Sequence, residues 1–300
     1  MKQKRPYNSN SQKPTIYPVK EDCSTEEFFS KIMQGKSKTA IKLLLQKGVV
    51  SVNGTPLRRL DTMLKAGSKV EISKKTLPHF KMPKGVRIIY EDKHIIIINK
   101  DSGLLTMASN KEANKTAYAY LSAYLKFYHP DDKIFIVHRI DRDTSGLIIF
   151  AKDQQTQEAL QNDWAETVSS RKYIAVVEGY PQNEEGTIHT WLKEHPKSLK
   201  VRVSTEGDGQ EAITHYKVLQ KKHGYALVEL ELETGRKNQI RTHLSHIGHP
   251  IAGDIKYNAQ SNPANRLCLH AQTLVFEHPF TGETMSFESS TPKEMMDIFE

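Results

Sequence analysis

The residues with the clearest potential for chemistry lie between two aliphatic segments near the middle of the chain. Residues 134–137 (IFIV) and 147–150 (LIIF) predict two buried strands. Between them, residues 138–146 (HRIDRDTSG) carry four charged side chains, among them Asp141. Rigid strands on both sides of a polar loop fix its side chains, and a carboxylate fixed in this way can act as a nucleophile or a base. Composition alone favours the alternative, a polar hairpin in which Thr-Ser-Gly supplies the turn.

The elements that must position this loop are mostly strands. Seven short β-rich runs follow one another, at residues 87–90, 95–99, 134–137, 147–151, 173–177, 213–219 and 225–232. Helical spacing occurs between them in two sets of apolar residues, Leu160, Trp164 and Val168, and Ile240, Leu244 and Ile247. Strands outnumber helices and do not alternate with them regularly. The sequence therefore predicts an α+β fold with a largely antiparallel mixed sheet.

The order of residues 138–146 is more specific than their composition. His-Arg-Ile-Asp followed by Asp-Thr-Ser-Gly and an aliphatic run resembles the signature of the RluA/RluD-type pseudouridine synthases, and Asp141 stands at the place of the family's essential aspartate. Residues 88–104, 172–179 and 234–254 resemble three further motifs of that family, in the family's order. The similarity spans about residues 86–290. One departure is Asp101, where the family usually has proline, which bears on the rigidity of that loop and not on catalysis.

The resemblance implies an enzyme that converts specific uridines of structured RNA to pseudouridine. This reaction breaks the N1–C1′ bond, turns the base and joins C5 to C1′. Asp141 would either attack C1′ or remove the C2′ proton, and the sequence does not decide between them. The reaction needs no redox change, phosphate transfer or external energy, so no cofactor is expected. Consistent with this, the sequence has no P-loop and no dinucleotide-binding glycine motif.

The resemblance also assigns three residues to supporting roles. Arg241 would keep the carboxylate ionised and oriented, although an ordinary surface arginine is the commoner case. Tyr173 would stack on the extruded base, and a strand aromatic that fills the core is the alternative. Arg139 would enter the gap that the flipped nucleotide leaves.

Three histidines at three-residue spacing offer a possible metal site. His243, His246 and His249 lie on or near a predicted helix, but no nearby carboxylate or cysteine completes a zinc ligand set. Gly248 and Pro250 suggest that the helix ends before the third histidine. We therefore expect helix-end and surface roles for these histidines, and no metal.

Positive charge is concentrated at the start of the chain. Residues 1–80 hold 16 Lys or Arg against six Asp or Glu, whereas residues 81–300 hold 27 against 29. Surface lysines that keep the protein soluble would explain a smaller excess; segregation on this scale favours a module that binds a polyanion. The sequence predicts a disordered basic arm at residues 1–22, a small domain at 23–73, a linker at 74–85 and a catalytic domain at 86–300.

The small domain resembles an S4-type RNA-binding domain, notably over residues 37–72. This implies basic side chains that contact RNA phosphates, and the candidates are Lys36, Lys38, Lys42, Lys47, Arg58 and Arg59. The alternative is an unrelated small basic α+β module. An S4-like module ahead of this catalytic domain resembles bacterial enzymes that act on large-subunit ribosomal RNA, and transfer RNA stays possible.

Other function classes fit less well. A non-catalytic RNA-binding or ribosome-assembly factor has no need of Asp141, Tyr173 and Arg241 together, and a nucleoside hydrolase has no need of a basic module. The longest aliphatic run is residues 95–98, far below the roughly 20 residues of a membrane span. No apolar stretch follows the basic start as a signal peptide requires. Only two cysteines occur, and they lie far apart, which favours a cytoplasmic protein without disulfides. We expect the protein to be a monomer.

Overall fold

The computed structural model describes residues 14–74, 76–108, 114–162 and 164–300. The chain divides into two compact units, residues 1–81 with 124–132 and residues 82–123 with 133–300. The division at residues 81 and 82 lies inside the segment predicted as a linker. The assignment of residues 124–132 to the first unit has no counterpart in the sequence prediction.

The first unit combines two short helices with short strands. Its elements are β1 (Thr15–Pro18), β2 (Cys23–Ser24), α1 (Thr25–Ile32), α2 (Lys38–Gln46), β3 (Val50–Val52), β4 (Thr55–Pro56), β5 (Met63–Leu64) and β6 (Lys69–Ile72). Strands β1, β6, β3 and β4 form one antiparallel sheet in that order, and β2 pairs with β5. Ser24 caps α1 by accepting from the backbone N–H of Glu27, whose side chain accepts in turn from Ser24 N–H.

The first strand corrects the prediction of a disordered arm at residues 1–22. Thr15–Pro18 pair with Lys69–Ile72 along their full length, and Val19 is buried in the core of the unit. The sequence prediction was wrong there because the strand is short, ends in proline and shows no alternating apolar pattern. Residues 1–13 lie outside the described part of the chain.

The second unit is built on one extended sheet. Its strands are β7 (Val86–Glu91), β8 (Ile95–Lys100), β9 (Phe135–Ile136), β10 (Ser145–Ala151), β11 (Ser170–Glu178), β12 (Glu185–Glu194), β13 (Val201–Ser204), β14 (Gln210–Lys222), β15 (Tyr225–Leu232), β16 (Leu269–Glu277) and β17 (Thr284–Glu288). The order is β13-β12-β14-β15-β11-β16-β10-β8-β7, with β17 paired to β16 and β9 to β10. Within the described residues, β10 with β16 is the one parallel pair among these strands. The predicted α+β class with a largely antiparallel mixed sheet is confirmed.

Helices cover parts of this sheet and connect its strands. They are α4 (Gln154–Asn162), α5 (Trp164–Thr167), α6 (Gln239–His246) and α7 (Lys293–Met296), with 3-10 turns at Ile255–Tyr257 and Asp297–Phe299. A further helix, α3 (Ala117–Tyr128), begins in the second unit, and its residues from 124 onward belong to the first. Ile240 and Leu244 of α6 are buried in one core cluster with Val176 and Val228 of the central strands. This packing fixes the orientation of α6 and with it the direction of the polar residues on its other side.

The parallel pair brings two distant segments into close contact at the start of β10. Gly146 has φ +118°, and a Cβ there would lie 2.1 Å from the carbonyl oxygen of Ala271. Only glycine fits this approach and this backbone conformation. The end of the 138–146 loop is thereby fixed against β16.

Candidate active site

The loop that carries Asp141 is fixed through its backbone carbonyls. Lys100, at the end of β8, donates from Nζ to the carbonyl of Arg142 at 2.9 Å. Thr106 donates to the carbonyl of Ile140 at 2.8 Å, and Ser102 to that of Asp143 at 2.7 Å. Residues 100–106, at and just after the end of β8, therefore hold three backbone carbonyls of the loop, on both sides of Asp141. These short contacts leave the side chain of Asp141 on a rigid support.

Lys100 is an unusual anchor because its side chain is fully buried. Its ammonium group also donates to the carbonyls of Asp101 and Leu104, at 2.9 and 2.7 Å. Burial lowers the pKa of Lys100 to about 7. Asp101, which replaces the family's proline, donates its backbone N–H to the carbonyl of Gly85 at 2.9 Å. A proline at this position would have no N–H and could not make this hydrogen bond.

Asp141 faces Arg241 on α6. Nη1 of Arg241 donates to Oδ2 of Asp141 at 3.2 Å. The other nitrogens of the guanidinium are held by Asp254, with Nε to Oδ2 at 2.7 Å and Nη2 to Oδ1 at 2.8 Å. The side chain of Asp254 is only 1% exposed, so its charge depends on this bidentate pair. Arg241 is thus bound firmly by a buried carboxylate through two of its nitrogens and offers the third, Nη1, to Asp141.

Two further residues orient the same guanidinium. Asn238, just before α6, has a left-handed backbone (φ +53°) and accepts from Nη1 of Arg241 at 3.2 Å. Its amide donates to the hydroxyl of Tyr257 at 3.1 Å, and the ring of Tyr257 lies 4.9 Å from Cζ of Arg241. Burial by itself lowers the pKa of Arg241, but the hydrogen bonds and charge of Asp254, with those of Asp141, raise it above its ordinary value. The guanidinium is therefore a permanent cation of fixed direction.

Tyr173 enters the site from β11. The register between β11 and β16 shifts between Lys172 and Tyr173, and such a bulge redirects the side chain beside it. Tyr173 is half-buried, packs against the core cluster and lines the cleft at Asp141. Burial raises the pKa of its hydroxyl, so the ring is neutral near pH 7. Both interpretations from the sequence, a core aromatic and a cleft aromatic, describe part of this position.

A cleft of about 240 Å³ brings the predicted residues together. Asp141, Arg241, Tyr173 and Arg139 all line it, with Leu232 on its apolar side. Arg139 is exposed, and within the described residues it forms no ion pair. The remaining lining residues are Ile140, Thr144, Gly235, Arg236, Lys237, Asn238, Gln239, Ile240 and Leu269. The cleft combines one carboxylate, several cations and flat apolar walls.

Asp254, Asn238 and Lys100 are site residues that sequence reasoning did not single out. Asp254 and Lys100 belong to segments that resemble family motifs, but nothing in their spacing reveals a contact with Arg241 or with the 138–146 loop. Asn238 carried the one usable signal, because an asparagine directly before a helix favours a cap or a left-handed residue.

The candidate RNA-binding residues of the first unit differ in their partners. Lys38 pairs with Glu26 at 2.8 Å, and Arg59 pairs with Asp61 at 2.6 Å. Arg58 lies over the ring of Tyr128 at 4.9 Å. The exposed side chains of Lys36, Lys42 and Lys47 have no carboxylate partner in the described part of the chain.

The histidines of the possible metal site do not point to a common centre. His243 is buried, and its two ring nitrogens lie 2.9 Å from the hydroxyls of Thr190 and Thr214. Burial lowers its pKa to about 4. His249 instead contacts the carbonyl of Glu178 at 2.9 Å. Among the residues that the structure describes, no three His, Cys, Asp or Glu side chains are grouped as metal ligands.

No helix in the described ranges has the length and apolar character needed to cross a membrane.

Comparison with known proteins gives the family. Residues 94–246 match the family model described as RNA pseudouridylate synthase. The Bacillus subtilis protein named uncharacterized RNA pseudouridine synthase YlyB is 33% identical over 282 residues, which cover 92% of each chain. The ribosomal large subunit pseudouridine synthase D of Neisseria meningitidis is 32% identical over 90% of this chain and 76% of its own length.

A solved structure agrees at the level of the fold. Human RNA Pseudouridylate Synthase Domain Containing 4 superposes with a TM-score of 0.58 at 24% identity, over 70% of this chain and 90% of that one. The order of the motifs, the mixed sheet and the relatives lead to one conclusion. The chain belongs to the RNA pseudouridylate synthase family and is an RluA/RluD-type enzyme that isomerises uridine in RNA.

Proposed function

We propose that Asp141 is the catalytic carboxylate and that the cleft around it takes one uridine extruded from the RNA. The observation that carries the proposal is the contact of Asp141 with Arg241, which is itself fixed by the buried Asp254. A cation of fixed direction defines where the carboxylate points. An isolated surface carboxylate would lack this fixed orientation.

The geometry distinguishes the two oxygens of Asp141. Oδ2 accepts from Arg241, and within the described residues no hydrogen bond reaches Oδ1. We assign Oδ1 as the oxygen that acts on the sugar, either by bonding to C1′ or by taking the C2′ proton. In both cases the positive charge that develops at the sugar lies beside a carboxylate of preset orientation.

Tyr173 would contact the extruded base, and Arg139 would fill the gap that the base leaves in the RNA. The ring of Tyr173 lines the cleft and gives a flat surface on which uracil can stack. Arg139 is exposed at the same cleft without an internal ion pair, so its guanidinium is available to enter the RNA stack. Arg241, Leu232 and Leu269 would bound the base on other sides.

For the substrate we favour large-subunit ribosomal RNA, because a relative that aligns over most of the chain is named for that RNA. The basic first unit supports a polymeric, folded RNA, with Lys36, Lys42, Lys47 and Arg58 as phosphate contacts and Lys38 and Arg59 available after exchange of their internal partners. Transfer RNA is the second candidate. We further propose that the protein works as a monomer in the cytoplasm.

Replacing Asp141 tests the catalytic assignment. Asp141→Asn should abolish pseudouridine formation in a tritium-release assay on 5-tritiated ribosomal transcripts, while binding of the transcript stays within about twofold, because the amide keeps the shape but not the charge. Asp143→Asn, in the same loop, is the matched control and should retain activity. Product formation by Asp141→Asn would refute the assignment.

The RNA class needs a separate experiment. Pseudouridines are mapped in ribosomal and transfer RNA from cells with and without the gene. Loss of a site in large-subunit ribosomal RNA supports the proposal, and loss confined to transfer RNA contradicts it. A wild-type protein that binds RNA but converts no uridine in either class would favour an assembly factor.

A further inference from the structure

Two loops beside the cleft carry the most exposed aliphatic side chains of the second unit. The hairpin between β12 and β13 presents Leu199 at 54% exposure, and the turn at Ile255–Tyr257 presents Ile255 at 78%. Nζ of Lys256 donates to the carbonyl of Leu199 at 3.2 Å, which joins the two loops. We call these two loops, residues 195–200 and 255–257, the rim.

The hairpin holds Leu199 in a conformation that leucine does not favour. Its φ is +52°, in the left-handed region, and its backbone N–H is bonded to the carbonyl of His195 at 2.9 Å. His195 in turn donates to the carbonyl of Lys200 at 2.9 Å. Leu199 is strained, and because its side chain is exposed, burial does not offset that strain. This indicates that Leu199 serves binding more than folding.

The rim is also positively charged. Lys200 and Lys256 place Nζ at 5.2 and 6.0 Å from the ring centre of Tyr257. The guanidinium of Arg241, which contacts Asp141, lies over the same ring. The rim therefore reaches a residue that lines the cleft, and Ile255 and Lys256 themselves line the neighbouring cavity that shares Arg241. Arg241 is already paired with Asp254 and Asp141, so Lys200 and Lys256 are the two cations at this ring that could take a further anion.

The carboxylates adjacent to the rim in sequence are already engaged. Glu194 pairs with Lys237, and Asp254 with Arg241. In the described part of the chain, no carboxylate lies within ion-pair distance of Lys197, Lys200 or Lys256. The positive charge of the rim is therefore available to an external anion.

We propose that the rim binds the RNA strand next to the target uridine, with Ile255 and Leu199 packed on an adjacent base and the lysines on its phosphates. Exposed aliphatic groups among unpaired lysines match a nucleic acid, in which apolar base faces alternate with phosphates. A protein partner could also pair its carboxylates with these lysines, but binding such a partner would not require the rim to lie next to Arg241. This inference deepens the proposed function, because it names what lies beside the uridine at the same site.

The test measures binding and so does not depend on turnover. The dissociation constant of full-length Asp141→Asn protein for an unmodified transcript of bacterial large-subunit ribosomal RNA is measured at several salt concentrations, from about 50 to about 300 mM. Adding Lys200→Gln and Lys256→Gln should weaken binding and reduce the slope of log Kd against log salt by about 1.4, since each single-strand phosphate contact contributes about 0.7. Ile255→Ser should lower affinity, and in the active protein lower kcat/KM, about tenfold without changing the slope.

Matched controls lie on the exposed side of β14. Lys217→Gln removes an exposed lysine, and Leu219→Ser removes an aliphatic side chain of 49% exposure, both away from the cleft. These variants should leave affinity and slope unchanged. The proposal is overturned if the rim variants behave like the controls, or if Ile255→Ser changes the sedimentation of the protein but not its RNA binding, which would indicate a protein contact. Failure of the wild type to form pseudouridine would contradict the proposed function while leaving this binding result valid.

Discussion

Replacing Asp254 by asparagine is the sharpest test of how the cleft is organised. The carboxylate of Asp254 is buried and makes two charge-assisted hydrogen bonds to Arg241, at 2.7 and 2.8 Å. Asparagine keeps one acceptor but turns an NH₂ group toward the guanidinium. One bond, of about 1.5–3 kcal/mol, is lost, and two donors then face each other in a buried place.

The consequence reaches Asp141 because Arg241 then has a free donor. A guanidinium released from Asp254 can bind both oxygens of Asp141, including Oδ1, which we assign to the chemistry. The same 1.5–3 kcal/mol would then oppose the reaction, and kcat should fall by about 10- to 150-fold. KM for the RNA should hardly change, since Asp254 is not accessible to the RNA.

Single-turnover kinetics measure the rate of the chemical step, and urea unfolding measures the stability of each variant. Glu178→Gln is a suitable control, because Glu178 also accepts several hydrogen bonds within the unit, from Gln260 and Ser261, yet does not line the cleft. Both variants should lose roughly 2 kcal/mol of stability, as expected for loss of a hydrogen bond to a charged group. Only Asp254→Asn should lose kcat. Equal activities of the two variants would refute the role of Asp254 in directing Arg241.

Two further predictions concern the support of the loop. Lys100→Met removes the buried donor that three backbone carbonyls share, so the free energy of unfolding, measured in urea, should fall by about 3 kcal/mol, with a parallel loss of kcat as the loop loosens. His138 accepts the backbone N–H of Ile149 at 3.2 Å, and burial, with the charge of Arg171, lowers its pKa to about 3. Below pH 6.5 the unfolded chain therefore takes up a proton that the folded chain does not, and stability falls as pH drops toward 3, by at most about 1.4 kcal/mol per pH unit. His138→Gln should reduce that slope between pH 6 and 4, and an unchanged slope would mean that His138 titrates normally.

The sequence predicted elements well where one local pattern decides the structure. The apolar face of Ile240 and Leu244 marked α6, and alternation or continuous aliphatic runs marked most central strands. Leu160, Trp164 and Val168 predicted a helix, and Leu160 lies in α4 and Trp164 in α5, with residue 163 between them outside the described part of the chain. The sequence analysis missed α3 because tyrosines lie on several sides of this helix, so that no clearly polar face contrasts with an apolar one.

Contacts between distant segments lay beyond sequence reasoning. The resemblance to a family brought Asp141 and Arg241 together, but the partnership of Arg241 with Asp254 depends on how a turn returns to α6. The parallel pairing of β10 with β16 joins segments more than a hundred residues apart, and no local pattern encodes it. Motifs therefore predict which residues act, whereas the contacts that orient those residues can be recognised only in the folded structure.

Arg241 also has a consequence that reaches beyond charge. Its side chain lines the cleft at Asp141 and, on its other side, a second cavity of about 500 Å³ bordered by Ser102, Lys256 and Arg266. It is thus a partition between two spaces, held shut by Asp254. A uracil detached from its sugar must turn while it waits to be rejoined, and an open passage would let it drift away and leave an abasic site. We expect this closed partition to keep the loose base beside its ribose, so that the reaction ends as a rearrangement and not as a strand lesion.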